Sequence, residues 1–411
     1  MSLAAPTGVP CGTAMAEPSR WRILPLLGVL QIVSWGSSYY LLAVLGARIV
    51  ADTGWGLPWV LSGLSVGFAT AGLVLPKVGA TIGRRGGRSM LACASMLFAL
   101  GLGCLALAPG IWVFLGGWVV LGLAMGMGLY DAAFATLGVL YGKGARRPIQ
   151  MVTLMVGFSS TICWPLTLMM ADAWGWRGAC LAYAAWHLLG TLPLVLCLVP
   201  GGGSAADMAA RARAQNSPLS GQEHVDLRLL MVIQVIIAAV SAVISLQLLM
   251  FLQARGLTEA AAVGLGTLLG PMQFTSRLLE MLGGGRRHPI WTMVGACLLI
   301  CLGLSVMATD LAPLWLAVGL YGAGIGIFSI ARGTVALVVF GPERYPVLVG
   351  RLGRPAMIAQ AMVPTASAWA LVLLGVDATL AVLVVLMGGA LVAVAILWHR
   401  LRLRGDLAMR D

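Results

Sequence analysis

Charged residues are scarce in this sequence of 411 residues. They account for 10% of the chain, whereas an ordinary soluble domain carries about a quarter. Hydrophobic residues reach 60%, and the mean hydropathy is +0.96. The shortage of charge excludes a typical soluble globular domain and indicates a protein that lies largely within a lipid bilayer.

Acidic residues are the rarer charged type, with 14 against 26 basic residues and a net charge of +12. Such an excess is typical of nucleic-acid-binding proteins, but here the basic residues form short clusters between apolar runs. Orientation in a membrane explains that pattern, so we predict no nucleic-acid partner. Lysine is nearly absent, and the preference for arginine, with the high alanine and glycine content, favours a GC-rich bacterial source and an inner-membrane location.

Motifs of enzymes and metal sites are also missing. The eight cysteines form no C-x-x-C pair, and most lie in apolar runs, where we interpret them as buried packing residues. The sequence has no nucleotide-binding loop and no H-E-x-x-H motif. We therefore predict no metal site, no cofactor and no enzymatic activity.

Long apolar runs are what the sequence does contain, and twelve of them can cross a hydrocarbon core of about 30 Å as helices. The run after residue 20 is too long for a signal peptide and lacks a convincing cleavage site, so we expect it to remain as the first span. The predicted spans are 21–47, 57–77, 89–108, 112–141, 149–171, 178–199, 228–252, 260–283, 290–308, 312–340, 347–374 and 378–399.

The one long polar stretch, 200–227, divides these spans into two groups of six. We interpret it as a flexible cytoplasmic linker between an N-terminal six-helix bundle, 21–199, and a C-terminal one, 228–400. Outside the bundles we expect a disordered N-terminal tail, 1–20, and a basic C-terminal tail, 401–411.

The two groups of spans share short motifs in the same order. Gly126-Met127-Gly128 in span 4 recurs as Gly324-Ile325-Gly326 in span 10, and Arg147-Pro148 recurs as Arg354-Pro355. These matches predict a duplicated six-helix unit. In proteins built this way the substrate site lies near the membrane midplane, between the repeats.

Basic residues are distributed unevenly between the two sides of this layout. If the N-terminus is inside, 21 of the 26 basic residues lie in inner segments and three lie in outer loops. The remaining two, Arg277 and Arg332, fall within spans. Positively charged loops stay on the cytoplasmic side of a membrane, so both termini are predicted to be cytoplasmic.

The loop between spans 2 and 3 carries the best local motif. Its sequence resembles the loop signature of the major facilitator superfamily, G-x-x-x-D-R-x-G-R-R/K. Four residues stand at matching positions: Gly79, Arg84, Gly86 and Arg88. The glycines permit a tight turn, and the arginines can meet a helix C-terminus or a carboxylate. Gly83 stands where the family usually has an aspartate, so a gating salt bridge made by that acid would be missing or relocated.

Together with the spans, the linker and the duplication, this resemblance covers nearly the whole chain. It implies an all-α integral membrane protein with 12 transmembrane helices in two pseudo-symmetric six-helix bundles. It also implies a monomeric secondary transporter that moves a small molecule by alternating access. In that family spans 1, 4, 7 and 10 line a central cavity.

Ionisable residues inside the spans are the candidate functional residues, because a charge at the membrane centre costs about 2.5–3.5 kcal/mol and faces protein or water. Asp131, in span 4, lies too deep to reach the surface, which fits either a proton carrier or one member of a structural ion pair. Arg332, in span 10, keeps its charge at any working pH and fits either anion binding or pairing with Asp131.

Span 8 provides a third ionisable residue, Arg277, next to Gln273 on the same helix face. Arg277 resembles the span-8 arginine of monocarboxylate and oxalate/formate-type carriers, which meets the substrate carboxylate. Glu280 follows three residues later and is an alternative partner that would simply neutralise it. Span 1 adds a polar, aromatic-rich segment, and some of its side chains are expected to face the cavity; the candidates are Gln31, Trp35, Tyr39 and Tyr40.

Two transport functions fit these residues. The first is a proton-coupled carrier of a small organic anion such as a monocarboxylate, with Asp131 taking the proton and Arg277 or Arg332 holding the carboxylate. The second is proton-driven efflux of a drug-like compound or a toxic inorganic species. The first is favoured because span 5 lacks the G-x-x-x-G-P-x-x-G-G pattern of exporters in the superfamily. A non-transporting membrane receptor or enzyme is the least favoured function.

Overall fold

The computed structural model describes residues 20–201, 205–215, 217–283, 288–309 and 312–406. Every regular element in these ranges is helical, as the sequence predicts. The predicted N-terminal tail, apart from Arg20, lies outside the described residues, and so does the end of the predicted C-terminal tail, 407–411.

The described chain forms fifteen α-helices, a short 3-10 helix at Gly142–Ala145 and a π-helical turn at Trp186–Thr191. The N-terminal half contains Arg20–Gly36 (α1), Leu41–Thr53 (α2), Leu57–Arg85 (α3), Arg88–Ala106 (α4), Ile111–Gly128 (α5), Tyr130–Tyr141 (α6), Arg146–Val156 (α7), Ser159–Ala185 (α8) and Leu192–Leu198 (α9). Ala205–Gln215 (α10) follows, and the C-terminal half contains Gly221–Ala254 (α11), Glu259–Gly266 (α12), Leu269–Leu282 (α13), Pro289–Ala308 (α14) and Leu314–Leu403 (α15).

Eight helical stretches of the described chain are long and apolar enough to cross a membrane. Glycines interrupt two of the long helices: Gly175 in α8, and Gly341 and Gly375 in α15, have φ angles of 70°, 75° and 78° with extended ψ. Residues with a side chain rarely adopt this conformation, so the breaks require glycine. Each break lies between two of the spans that the sequence predicts.

Some predicted spans are not continuous helices. The predicted span 112–141 is divided at Leu129, whose extended backbone (ψ −168°) separates α5 from α6. The predicted span 21–47 is divided by a turn at 37–40, between α1 and α2. Hydropathy does not reveal these breaks, because the residues on both sides of each break are apolar.

The two halves meet along a seam of small residues between α3 and α15. A Cβ atom on Gly350 would lie 2.5 Å from the carbonyl oxygen of Leu75, and one on Gly72 would lie 3.1 Å from that of Arg354. Glycine lets the two backbones approach this closely, as in other tightly packed membrane helices. The seam approaches one end of the bundle, which carries Arg84, Arg85, Arg146, Arg147 and Arg344. We call it the arginine-rich end.

The described part of the predicted linker, 200–227, is mostly helical. Helix α10 packs against α3 of the N-terminal half and α15 of the C-terminal half. Helix α11 begins at Gly221, earlier than the predicted span, because Ser220 and Glu223 form a capping box before it. The Ser220 amide donates to Glu223 Oε2 at 2.8 Å, and the Glu223 amide donates to Ser220 Oγ at 3.2 Å. Such a box satisfies amide groups that a helix start leaves free.

We expect Gly350→Ala to weaken the seam, because the new methyl group would meet the Leu75 backbone, which cannot move aside as a flexible side chain can. Overpacking costs about 1–3 kcal/mol, so the melting temperature of the purified protein should fall. Gly116→Ala is the matched control, since nothing lies within 4 Å of its Cβ position. Equal melting temperatures for the two variants would contradict close contact at the seam.

Candidate functional site

An ion pair joins the two halves of the bundle. The Arg332 Nη2 group of α15 donates a hydrogen bond to Asp131 Oδ1 of α6. The side chain of Asp131 is 6% exposed and that of Arg332 is 24% exposed. The charges predicted on spans 4 and 10 therefore meet across the boundary between the halves.

The break between α5 and α6 determines where the Asp131 carboxylate lies. Because Leu129 is extended, α6 begins at Tyr130 and Asp131 falls in its first turn. The N-terminus of a helix carries a partial positive charge that stabilises a carboxylate. The break also frees the Gly128 carbonyl, which accepts a hydrogen bond of 2.5 Å from Gln31 Nε2. The predicted site residue Gln31 is fully buried and braces this break.

Two buried polar atoms near the ion pair have no hydrogen-bond partner within the described chain: Asp131 Oδ2 and the Tyr345 hydroxyl. The Tyr345 ring packs against Gly138, two turns along α6 from Asp131. Gly353 leaves room beside the carboxylate, since a Cβ there would lie 3.1 Å from Asp131 Oδ2. Buried polar atoms are normally satisfied by protein or water, so this side of α6 suits a water molecule or an added proton.

Arg277 is buried, with 5% of its surface exposed, and its hydrogen bonds all go to uncharged oxygen atoms. The acceptors are Gly326 O at 3.3 Å, Ser329 Oγ at 3.1 Å, Thr153 O at 3.4 Å and Gln273 Oε1 at 3.2 Å. Thr153 belongs to α7, whereas the other three belong to α13 and α15, so this guanidinium also connects the two halves. The predicted residue Gln273 holds Arg277 in place.

Glu280, the acid that follows Arg277 in sequence, does not neutralise it. Glu280 Oε1 accepts a hydrogen bond of 2.7 Å from Thr292 Oγ1 of α14 instead. Within the described residues, no carboxylate forms an ion pair with Arg277. Arg277 is therefore a buried cation without a counter-charge in the part of the chain that the structure describes.

Aromatic side chains surround the two arginines. Tyr130 lies close enough to Arg277 and Arg332 to interact electrostatically with both. The Trp35 ring centroid is 5.1 Å from that of Tyr130 and 5.3 Å from that of Tyr39. Tyr130 is not among the predicted site residues; its position directly before the intramembrane acid was the signal in the sequence.

Tyr40 belongs to the same cluster, with its ring centroid 6.4 Å from that of Trp35 and its hydroxyl within electrostatic range of Arg277. The turn between α1 and α2 brings these rings together, and Ser38 Oγ braces it by donating to the Ser34 carbonyl at 2.5 Å. The buried indole N–H of Trp35 has no acceptor among the described residues. Of the predicted aromatic residues of span 1, Tyr40 thus lies near Arg277, and Trp35 and Tyr39 pack beside Tyr40.

The four motif residues lie at the arginine-rich end, where α3 ends and α4 begins. Gly86 ends α3 with a φ of 80°, which glycine adopts readily. Gly79 packs against Pro346 of α15, Arg84 is exposed, and Arg88 is the first residue of α4. This placement suits a role in closing the two halves together, away from the ion pair.

The structure explains why glycine stands at position 83, where the signature of the major facilitator superfamily has an aspartate. The side-chain amide of Gln215 in α10 lies directly against it, so an aspartate there would displace Gln215. The linker helix therefore occupies the place of the acid. The sequence shows the departure but not its cause, because the two residues are far apart along the chain.

Comparison with known families gives one match. The sequence model of the Major Facilitator Superfamily matches residues 27–350, which is most of the chain. No curated protein matches the sequence.

Solved structures resemble the whole bundle. The human organic anion transporter MFSD10 (TETRAN) aligns with a TM-score of 0.70 and 15% identity, over 92% of this chain and 100% of that one. The E. coli fucose:proton symporter FucP aligns with a TM-score of 0.68 and 13% identity, over 92% and 99%. FucP in its outward conformation gives a TM-score of 0.71 and 15% identity, over 92% and 99%. At these identities the likeness shows the fold.

Asp131→Asn and Arg332→Gln are each expected to lower the melting temperature, because each leaves one buried ion without its partner. Breaking a buried pair costs about 3–5 kcal/mol. The double variant removes both charges, so its loss should be smaller than the sum of the two single losses. Melting curves of the four proteins measure this coupling, and strictly additive losses would show that the two side chains do not interact.

Proposed function

Because the chain belongs to the Major Facilitator Superfamily, whose model matches residues 27–350, we propose that it carries a small organic anion, such as a monocarboxylate, together with a proton. Its family and its structural neighbours are transporters, so secondary transport by a multi-pass membrane protein is the starting point. The anion and the proton coupling are inferred from the charges described above.

The proposed layout has twelve crossings, with both termini in the cytoplasm of a bacterial cell and the bundle in its inner membrane. It is supported by the breaks at Gly175, Gly341 and Gly375, which divide α8 and α15, and by the uneven distribution of basic residues. In this layout the arginine-rich end faces the cytoplasm. Helix α10 then lies between an N-terminal bundle, 21–199, and a C-terminal bundle, 228–400.

The observation that carries the anion proposal is the uncompensated charge of Arg277. The Asp131–Arg332 pair is neutral as a unit, so Arg277 is left with a positive charge and only neutral acceptors. An unpaired ion inside a membrane protein is costly. A carboxylate would supply the missing charge and match the forked geometry of the guanidinium. A neutral substrate such as a sugar would leave the charge uncompensated.

The groups around Arg277 favour a small, oxygen-rich anion. The Tyr40 hydroxyl lies within electrostatic range of Arg277 and is available to a carboxylate oxygen. The Trp35 ring centroid is 6.4 Å from that of Tyr40, and the Trp35 N–H has no acceptor among the described residues. The Trp35 ring centroid lies 5.3 Å from that of Tyr39 and 5.1 Å from that of Tyr130, and we infer that this packing limits the room for a large carbon skeleton. A monocarboxylate meets both conditions.

Asp131 is the proposed proton carrier. Its carboxylate attracts Arg332 across the two halves only while it is ionised. Protonation removes that attraction and so weakens the contact between α6 and α15. The proton can be added at Oδ2, which has no hydrogen-bond partner among the described residues, without breaking another bond. Loading with a proton and an anion would then permit the arginine-rich end to open.

The anion proposal predicts that wild-type protein is thermally stabilised by a small carboxylate such as lactate, and not by its neutral amide, because only the carboxylate compensates Arg277. Arg277→Gln should lose this stabilisation. Arg402→Gln is the matched control, since Arg402 is exposed and lies over the Trp398 ring at the end of α15. Thermal-shift screening of purified protein against paired acids and amides provides the measurement. A screen in which only neutral compounds stabilise the wild type refutes the anion assignment.

The proton proposal predicts that Asp131→Asn abolishes uptake driven by a pH gradient in liposomes but leaves anion exchange measurable, because exchange needs no net proton movement. Asp172→Asn is the control, since Asp172 pairs with Arg48 and its side chain is 66% exposed. Labelled-substrate uptake and counterflow measure the two activities. Gradient-driven uptake by Asp131→Asn equal to wild type would remove Asp131 from the proton pathway.

A further inference from the structure

The segment that joins the two halves forms one wall of a pocket at the arginine-rich end. The pocket has a volume of about 280 Å³. We call it the linker pocket and define it by five of its lining residues, Gln215, Ser217, His224, Arg344 and Arg351. Gln215 ends α10, Ser217 lies between α10 and α11, His224 belongs to α11, and the two arginines belong to α15. It lies outside the region of Asp131 and Arg277.

The linker pocket has an excess of hydrogen-bond donors and positive charge. None of its lining residues is acidic. Glu223, next to His224, is already engaged, because Arg344 Nη1 contacts both of its carboxylate oxygens at 3.0 Å and the Ser220 amide donates to one of them. Arg351 is exposed and makes no ion pair with any described carboxylate. Its full charge is therefore available to a ligand.

We propose that the linker pocket binds a phosphate group, supplied either by an anionic phospholipid or by inorganic phosphate. Guanidinium groups bind phosphate oxygens through paired N–H donors. Arg351 provides the free guanidinium, and Arg344, on the same stretch of α15, adds its remaining N–H groups because its Nη1 already contacts Glu223. The imidazole of His224 is a further donor in the lining. Basic pockets at the cytoplasmic ends of membrane helices are where anionic head groups bind.

An anion in the linker pocket would hold the linker against both halves. The Gln215 side chain touches Gly83 of α3, while the same residue lines the pocket beside α15. Helix α10 as a whole also packs on both α3 and α15. Movement of the halves apart at this end requires α10 to leave one of them, and a bound anion opposes that step. Binding itself does not depend on the proposed substrate.

The test uses the full-length purified protein with two sources of phosphate. One arm titrates inorganic phosphate in detergent against chloride at equal ionic strength, so that general screening is matched. The other compares nanodiscs of phosphatidylcholine alone with nanodiscs that also contain phosphatidylglycerol. The readouts are melting temperature and hydrogen exchange of the α10 amides. Wild type should melt higher, and α10 should exchange more slowly, with at least one phosphate source.

Arg351→Gln should lower the apparent affinity for phosphate roughly tenfold, which is the effect of losing one charged hydrogen-bonding partner. Arg354→Gln is the matched control, because Arg354 is exposed one turn along α15 and does not line the pocket. If Arg351→Gln melts abnormally without ligand, His224→Gln provides the second variant. A response to phosphate in detergent supports a free anion, and a response confined to phosphatidylglycerol supports a lipid head group. No response in either arm, or equal responses in the pocket variants and the Arg354→Gln control, overturns the proposal.

Discussion

A charge buried in a membrane protein has to be compensated, and this requirement organises the region where the two halves meet. Asp131 and Arg332 compensate each other across the boundary, and Arg277 reaches across it to the Thr153 carbonyl. Leaving such a charge unpaired costs several kcal/mol. The halves therefore separate at this point only if something replaces the lost contacts. Water can hydrate the separated ions, and under the proposed function a proton neutralises Asp131 and an anion compensates Arg277.

The helices were predictable from the sequence because a lipid environment imposes helical structure on apolar runs whatever the tertiary fold. The break inside the predicted span 112–141 was not, because a long-range contact stabilises it. The break at Leu129 is braced by Gln31, whose side chain donates to the Gly128 carbonyl from 97 positions away. Apart from Asp131 that stretch is apolar, so hydropathy gave no sign that Asp131 would lie in the first turn of a helix.

The sequence predicted which kinds of partner the charged residues could have, but not which residues they pair with. Asp131 and Arg332 are 201 positions apart, and the sequence left pairing and separate roles open for them. The spacing along α13 made Glu280 a candidate partner for Arg277. In the structure Arg277 lies against α15, and Glu280 accepts a hydrogen bond from Thr292 of α14. Proximity along a helix indicates that two side chains can meet, and the packing of the neighbouring helices decides whether they do.

The Asp131–Arg332 ion pair can contribute both to stability and to transport. A buried pair gains little over its two hydrated ions, because desolvation cancels most of the attraction. Separating Asp131 and Arg332 into a water-filled opening is therefore nearly balanced in free energy, whereas deleting one partner is not. Alternating access requires two conformations within a few kcal/mol of each other, so that each can be populated. The ion pair holds the halves together when it is dry and releases them when it is hydrated or protonated, so it allows both conformations to be populated. A large apolar contact at the same place would favour only the closed one.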